Sequence, residues 1–150
     1  VIVPLTLEHA RHIADNMAPD DLAEILETHW LDTIDGFAEK CTEVGGFVAL
    51  ADDGEPVAMA GIYPIYPGVA TAWLVGTARL PERRLEISRT ARRWVRMALD
   101  GGGYHRIHAF ADSRHVRTHP WLEAIGLRQE TRLAKWGKSG VDFILFSAVR

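Results

Sequence analysis

Apolar and polar residues change their period along this chain, and the changes outline its elements. VIVPL alternates and ends in Pro4, which suits an edge strand because proline has no N–H to give a ladder. Thr6 then stands as a helix N-cap, with Glu8 in the first turn and Ile13, Ala14 and Met17 at helical spacing. After Pro19, Asp20 and Asp21 open a second helix with Leu22, Ile25, Leu26 and Trp30 on one face. The spacing predicts a third helix over 32–43, stopped before Gly45 and Gly46. From there the period falls from about 3.6 to 2. GFVALADDGEPVAMAGIYP reads as two strands joined at Asp52-Asp53-Gly54, a β-hairpin. Pro64, Pro67 and Gly68 interrupt the chain before VATAWLVGT, a third strand rich in β-branched and aromatic residues.

Residues 83–99 return to helical spacing. Ile87, Ala91, Trp94, Val95, Ala98 and Leu99 form one stripe, and Arg89, Arg92, Arg93 and Arg96 fall mainly off it. Gly101-Gly102-Gly103 ends that helix, YHRIHAFAD supplies another strand, and a helix over 113–125 stops at Gly126, a left-handed cap. RQETRLAKW and VDFILFSAV, linked through Gly137 to Gly140, make a final hairpin. The order is β, helices, βββ, α, β, α, ββ: an α/β chain.

Length and composition, 150 residues with 47% hydrophobic and 25% charged, fit one domain over 1–150 with its own core. No apolar run reaches the roughly 18–20 residues a bilayer requires, and VIVPLTLEH lacks a basic segment followed by a long apolar one. The expectation is a soluble, cytoplasmic protein. The single Cys41 excludes an internal disulfide framework and has no base beside it, so it reads as a packed thiol.

Charge changes the picture more. Residues 1–75 carry 2 basic against 13 acidic side chains and residues 76–150 carry 15 against 7, although the whole is only -3. Such asymmetry suits an anionic ligand on the second half and a cationic one on the first, or simple attraction between the two. Seven arginines lie between 79 and 96. They invite a nucleic-acid reading, which the negative total and the apolar-stripe position of Trp94 disfavour. His115 and His119, four apart with Asp112 nearby, have the spacing of two zinc ligands on one helical turn but lack a third ligand and the glutamate of HExxH, so no metal is expected.

The segments AWLVGT, LEISRTARRW and YHRIHAFADSRHVRTHPWLEAIGLRQETRLAKW, in this order of elements, resemble the GNAT superfamily of acyl-CoA dependent N-acyltransferases. The same segments are similar to small GNAT-fold proteins of tailed bacteriophages. The resemblance implies a mixed, mostly antiparallel sheet of about seven strands flanked by helices. It also implies acetyl-CoA or another acyl-CoA as co-substrate and a small-molecule or peptide amine as acceptor. In that family the pantetheine arm pairs like an added strand with the backbone of the central strand, which corresponds here to Trp73, Leu74, Val75 and Gly76, where glycine would ease a bend. The diphosphate loop corresponds to 83–88, with Arg83 first, Arg84 beside it, Ser88 as the small last residue and Glu86 in place of the middle glycine. His115 stands where an asparagine that contacts the CoA arm is often found, and Leu122 stands where the family carries a proton-donating tyrosine. Thr71 and Trp73 replace the usual acid of the central strand, so the catalytic residues stay unassigned; Tyr63, Tyr66 and His108 are the remaining candidates. Two functions follow from the resemblance: direct acyl transfer, or a catalytically silent phage or prophage structural or interaction protein, virion-associated. GNAT-like proteins often pair, and VDFILFSAV is a candidate homodimer face whose apolar residues serve a core equally well.

Overall fold

A computed structural model describes residues 1–150. Its elements are β1 (Ile2–Pro4), α1 (Leu7–Asp15), α2 (Pro19–Glu27), α3 (Phe37–Val44), β2 (Phe47–Leu50), β3 (Pro56–Tyr66), β4 (Val69–Gly76), α4 (Arg84–Asp100), β5 (Arg106–Asp112), α5 (Thr118–Ala124), β6 (Arg128–Leu133) and β7 (Phe143–Val149). The strands form one mixed sheet in the order β1-β2-β3-β4-β5-β7-β6. β1 with β2, β2 with β3, β5 with β7 and β6 with β7 run antiparallel, whereas β4 and β5 run parallel. No helix is long and apolar enough to cross a membrane. Two compact units divide the chain: Val1–Ile62 with Trp73–Ile87, and Tyr63–Ala72 with Ser88–Arg150.

The first unit is built by capped amphipathic helices. The Thr6 hydroxyl accepts the His9 N–H at 3.3 Å, and α1 turns Ala10 and Ile13 fully inward. Pro19 sits at the first position of α2, where its missing donor costs nothing. Ala38 and Cys41 of α3 join Ala10, Ile13, Met17, Val48, Met59 and Val75 in a single apolar cluster. Burial pushes the Cys41 thiol up to about 12, so it stays protonated and acts as a small apolar group. The third helix is shorter than its spacing suggests. Thr33 donates to the Asp35 carboxylate at 3.0 Å, Gly36 takes a left-handed φ of 80°, and the helix starts only at Phe37. α2 likewise stops at Glu27, which leaves Trp30 outside the helix and 99% exposed instead of on its apolar face.

In the second unit β7 lies between β5 and β6, so both of its edges are paired. Ile107, Ala109 and Ala111 register against Ala148, Phe146 and Ile144, and five of these six are buried on one face. Of the two uses that the sequence leaves open for VDFILFSAV, Phe143, Ile144 and Phe146 serve the core. The helix expected over 113–125 is also shorter. The Asp112 carboxylate accepts the Arg114 N–H at 2.9 Å and the Asp112 carbonyl accepts the His115 N–H at 3.0 Å, which holds a turn ahead of α5. Gly126, at φ 110°, ends α5 as the pattern implies.

Candidate functional site

β4 is the strand on which the expected site turns, and its two ends are held differently. At its start Val69, Ala70 and Thr71 pair with Arg106, Ile107 and His108. The β5 register goes no further, although β4 continues to Gly76 and β5 to Asp112. Trp73 and Leu74 are half-buried and Val75 is buried. Gly61 makes room for the Trp73 indole: a Cβ there would meet the Gly45 carbonyl at 2.6 Å and the indole at 2.9 Å. Gly76 is required by close approach and not by a bend, because its Cβ would collide with Leu80 and meet the Val57 carbonyl at 3.0 Å.

Both main-chain groups of Gly76 are already engaged by the start of α2. Its N–H donates to Asp21 Oδ2 at 2.8 Å and its C=O accepts the Ala18 N–H at 2.8 Å. Met17 and Thr77 add an antiparallel bridge beside them. A ligand strand laid along Trp73–Gly76 therefore meets a protein partner at its last position.

The chain then enters a 3-10 turn, Leu80–Arg83, that runs directly into α4. The orphan N–H groups of this continuous helix stand at its beginning. Thr77 takes two of them, through its hydroxyl from Arg79 at 3.2 Å and through its carbonyl from Leu80 at 3.1 Å. The Arg84 N–H donates to the Pro81 carbonyl, so 83–88 follows the first turn and does not open it. Carboxylates of the β2–β3 turn occupy the nearby arginines. Arg79 forks onto Glu82 at 2.8 and 3.0 Å, reaches Asp53 at 3.0 Å and pairs with Glu55. Those hydrogen bonds, Glu82 foremost, raise the Arg79 pKa. Arg83 donates to the Leu50 carbonyl at 2.9 Å and pairs with Asp52. Glu86 lies 3.3 Å from the Val1 nitrogen, and Arg84 is exposed.

Ser88 and His115 belong to the second unit. Ser88 Oγ accepts the Trp121 indole N–H at 2.8 Å, which ties α4 to α5. His115 lies in the turn before α5, so His115 and His119 do not share a helical turn; His119 Nε2 stands 3.1 Å from the Asp112 carbonyl. The Asp112 carboxylate is held by the Arg114 guanidinium at 3.0 and 2.7 Å. Burial acts to raise its pKa, but the Arg114 hydrogen bonds outweigh burial and keep it below the usual carboxylate range. Leu122 is buried. Tyr63 and Tyr66 are exposed, and Tyr66 lines an open depression with Pro67, Gly68 and Tyr104 at the start of β4, the end away from Gly76.

One hydrogen-bond chain escaped the sequence reading. Glu130 grips both terminal nitrogens of Arg106, one at 2.9 Å, and turns the guanidinium so that Nε meets His108 Nδ1 at 3.2 Å. His108 Nε2 in turn stands 3.1 Å from Thr71 Oγ1, at the last paired position of β4 and β5. Burial and then the Arg106 charge lower the His108 pKa, so the ring is neutral near pH 7. The i, i+2 spacing of Arg106 and His108 places both on one sheet face, and that was the available signal. Phe110 follows on the same face, edge-on to His108 at 5.2 Å and stacked with Trp136 at 5.5 Å.

No protein-family model matches the chain, and no curated protein matches it in sequence. Solved structures do match its backbone. A GNAT-family acetyltransferase from Bacillus anthracis superposes with a TM-score of 0.74 at 15% identity, over 99% of this chain and 93% of that one. A spermidine N-acetyltransferase variant from Vibrio cholerae gives 0.70 at 11% identity, over 99% and 92%. A ribosomal-protein-S5-alanine acetyltransferase from Vibrio fischeri gives 0.68 at 14% identity, over 99% and 91%. Identities this low speak for architecture, and the architecture is clear: the chain has the α/β fold of the GNAT acetyltransferases.

Proposed function

We propose that this protein is an acyl-CoA dependent N-acyltransferase that passes an acyl group directly to an amine acceptor. The observation that carries the reading is the early end of the β4–β5 ladder: pairing stops at Thr71 and His108 while both strands run on. Backbone freed in this way suits an extended amide-bearing arm, which binds by main-chain hydrogen bonds and asks little of side-chain identity. Trp73, Leu74 and Val75 are the residues for that role, with Gly76 joining only if Asp21 and Ala18 yield. Acetyl-CoA would supply the activated thioester; in direct transfer the amine nitrogen bonds to the acyl carbon, the carbon–sulfur bond breaks, and the proton lost by the amine balances the one taken by the thiolate. Arg83, Arg84, Ser88 and His115 are the side chains proposed to meet the rest of the carrier. Arg84, the most exposed of the arginines at this turn, is the readiest to meet phosphate.

A second reading has its own support. Asp52 already holds Arg83, Glu86 stands where the resemblance puts the loop's middle glycine, and Leu122 cannot donate a proton, all of which suit an interaction protein that keeps the fold without turnover. Calorimetric titration with CoA and acetyl-CoA separates the readings. The enzyme reading expects saturable binding, and ligand at a hundred times its Kd raises stability by about 2.7 kcal/mol. No heat and no thermal shift at millimolar acetyl-CoA would leave the interaction protein.

A further inference from the structure

The chain of hydrogen bonds that runs from Glu130 to Thr71 has a fixed direction. Arginine has no acceptor, so Arg106 Nε must donate and His108 Nδ1 must accept. A neutral imidazole that accepts at Nδ1 carries its hydrogen on Nε2, so Nε2–H donates to Thr71 Oγ1. This arrangement removes His108 as a general base: neither ring nitrogen has a lone pair to offer. It also leaves the Thr71 hydroxyl hydrogen unspent, because the fold gives Thr71 Oγ1 no other hydrogen-bond partner. Each donor in the series is strengthened by the one behind it, and the series starts at a guanidinium. Thr71 is half-buried and stands two residues before Trp73 on the same strand, where the β5 ladder stops.

From this we infer that Thr71 Oγ1–H is a polarised donor for the acyl carbonyl oxygen, with Arg106 and His108 as its positioning residues. The assignment rests on the acyl-transfer reading above and deepens it by naming a side-chain group that grips the reacting carbonyl. A fixed donor aimed where negative charge develops favours transfer more than binding, and it needs no proton movement by threonine. Glu130 serves the chain at one remove by holding the guanidinium so that only Nε faces His108.

The test compares acetyl-CoA with CoA, which lacks the acyl group, and reads the carbonyl itself. Isotope-edited infrared difference spectra of acetyl-CoA labelled at the carbonyl carbon should show the bound stretch at lower wavenumber than in free solution. Thr71→Val should return it toward the free value and weaken acetyl-CoA roughly threefold to tenfold, the reach of one hydrogen bond. Thr71→Ser should keep both the shift and the affinity. CoA affinity should be the same in all three proteins, which also shows that the variants are folded. Binding of acetyl-CoA with a carbonyl frequency indifferent to Thr71→Val would overturn the assignment and leave the acyltransferase reading standing. Failure of the unaltered protein to bind either CoA or acetyl-CoA would overturn both.

Discussion

The two ends of β4 differ in what completes them. At Val69–Thr71 a neighbouring strand supplies the ladder, and a side-chain chain from Glu130 to Thr71 ends beside it. At Trp73–Gly76 no β5 register follows, and the only new partner is the start of α2, which takes both main-chain groups of Gly76. One strand is therefore structural at its beginning and available in its second half. A free edge inside a sheet leaves backbone groups without a ladder, and native chains retain such groups where a ligand or partner satisfies them.

The contrast can be broken from either side. At the paired end, Ile107→Ala empties a fully buried position in the register with β4 and should cost about 2–5 kcal/mol in denaturant unfolding. At the other end, Asp21→Ala removes the carboxylate on the Gly76 N–H and should cost about 1.5–3 kcal/mol, as a charge-assisted hydrogen bond does. If the α2 contact competes with the acyl carrier, the same change tightens CoA binding while it lowers stability, and an affinity that falls with stability would contradict the competition.

The far end of β5 gives a pH handle. The Asp112 pKa is depressed in the folded protein, so its contribution to stability is complete above the ordinary carboxylate value and is lost as pH falls through the lowered one. Urea midpoints should therefore drop as pH falls below the ordinary carboxylate value of about 4 in the unaltered protein and drop less in Asp112→Asn. The smallest effect belongs to Arg83. Its partner Asp52 is 97% exposed, so loss of that ion pair in Arg83→Gln should move stability by no more than about 1 kcal/mol where the glutamine amide keeps the bond to the Leu50 carbonyl. A large loss of CoA affinity in that variant would show that the arginine leaves Asp52 for phosphate.

Much of this architecture is legible in the residues. Asp52-Asp53-Gly54 marks the β2–β3 turn, Thr6 caps α1, and Ile87, Ala91 and Val95 form the buried stripe of α4 as their spacing demands. Local competition explains the misread boundaries: side-chain hydrogen bonds at Thr33 and Asp112 hold turns where the apolar period alone suggests helix. The site is harder to read, because its determinants are distant in sequence. Asp21 meets Gly76, Asp52 meets Arg83 and Glu130 orients Arg106, and no periodicity in any one segment announces those pairs. Thr71 and His108 could be singled out separately, but only their 3.1 Å approach gives the pair a direction.

The most direct measurement is amide hydrogen exchange along β4, followed by NMR with and without saturating acetyl-CoA. The account predicts strong protection at Val69–Thr71 in both states, and new protection at the Leu74 amide, which faces away from β3 as that of Gly76 does, only when acetyl-CoA is bound. A Leu74 amide that is equally protected without ligand, or untouched by it, would contradict the claim that this edge of the strand is held open for an acyl carrier.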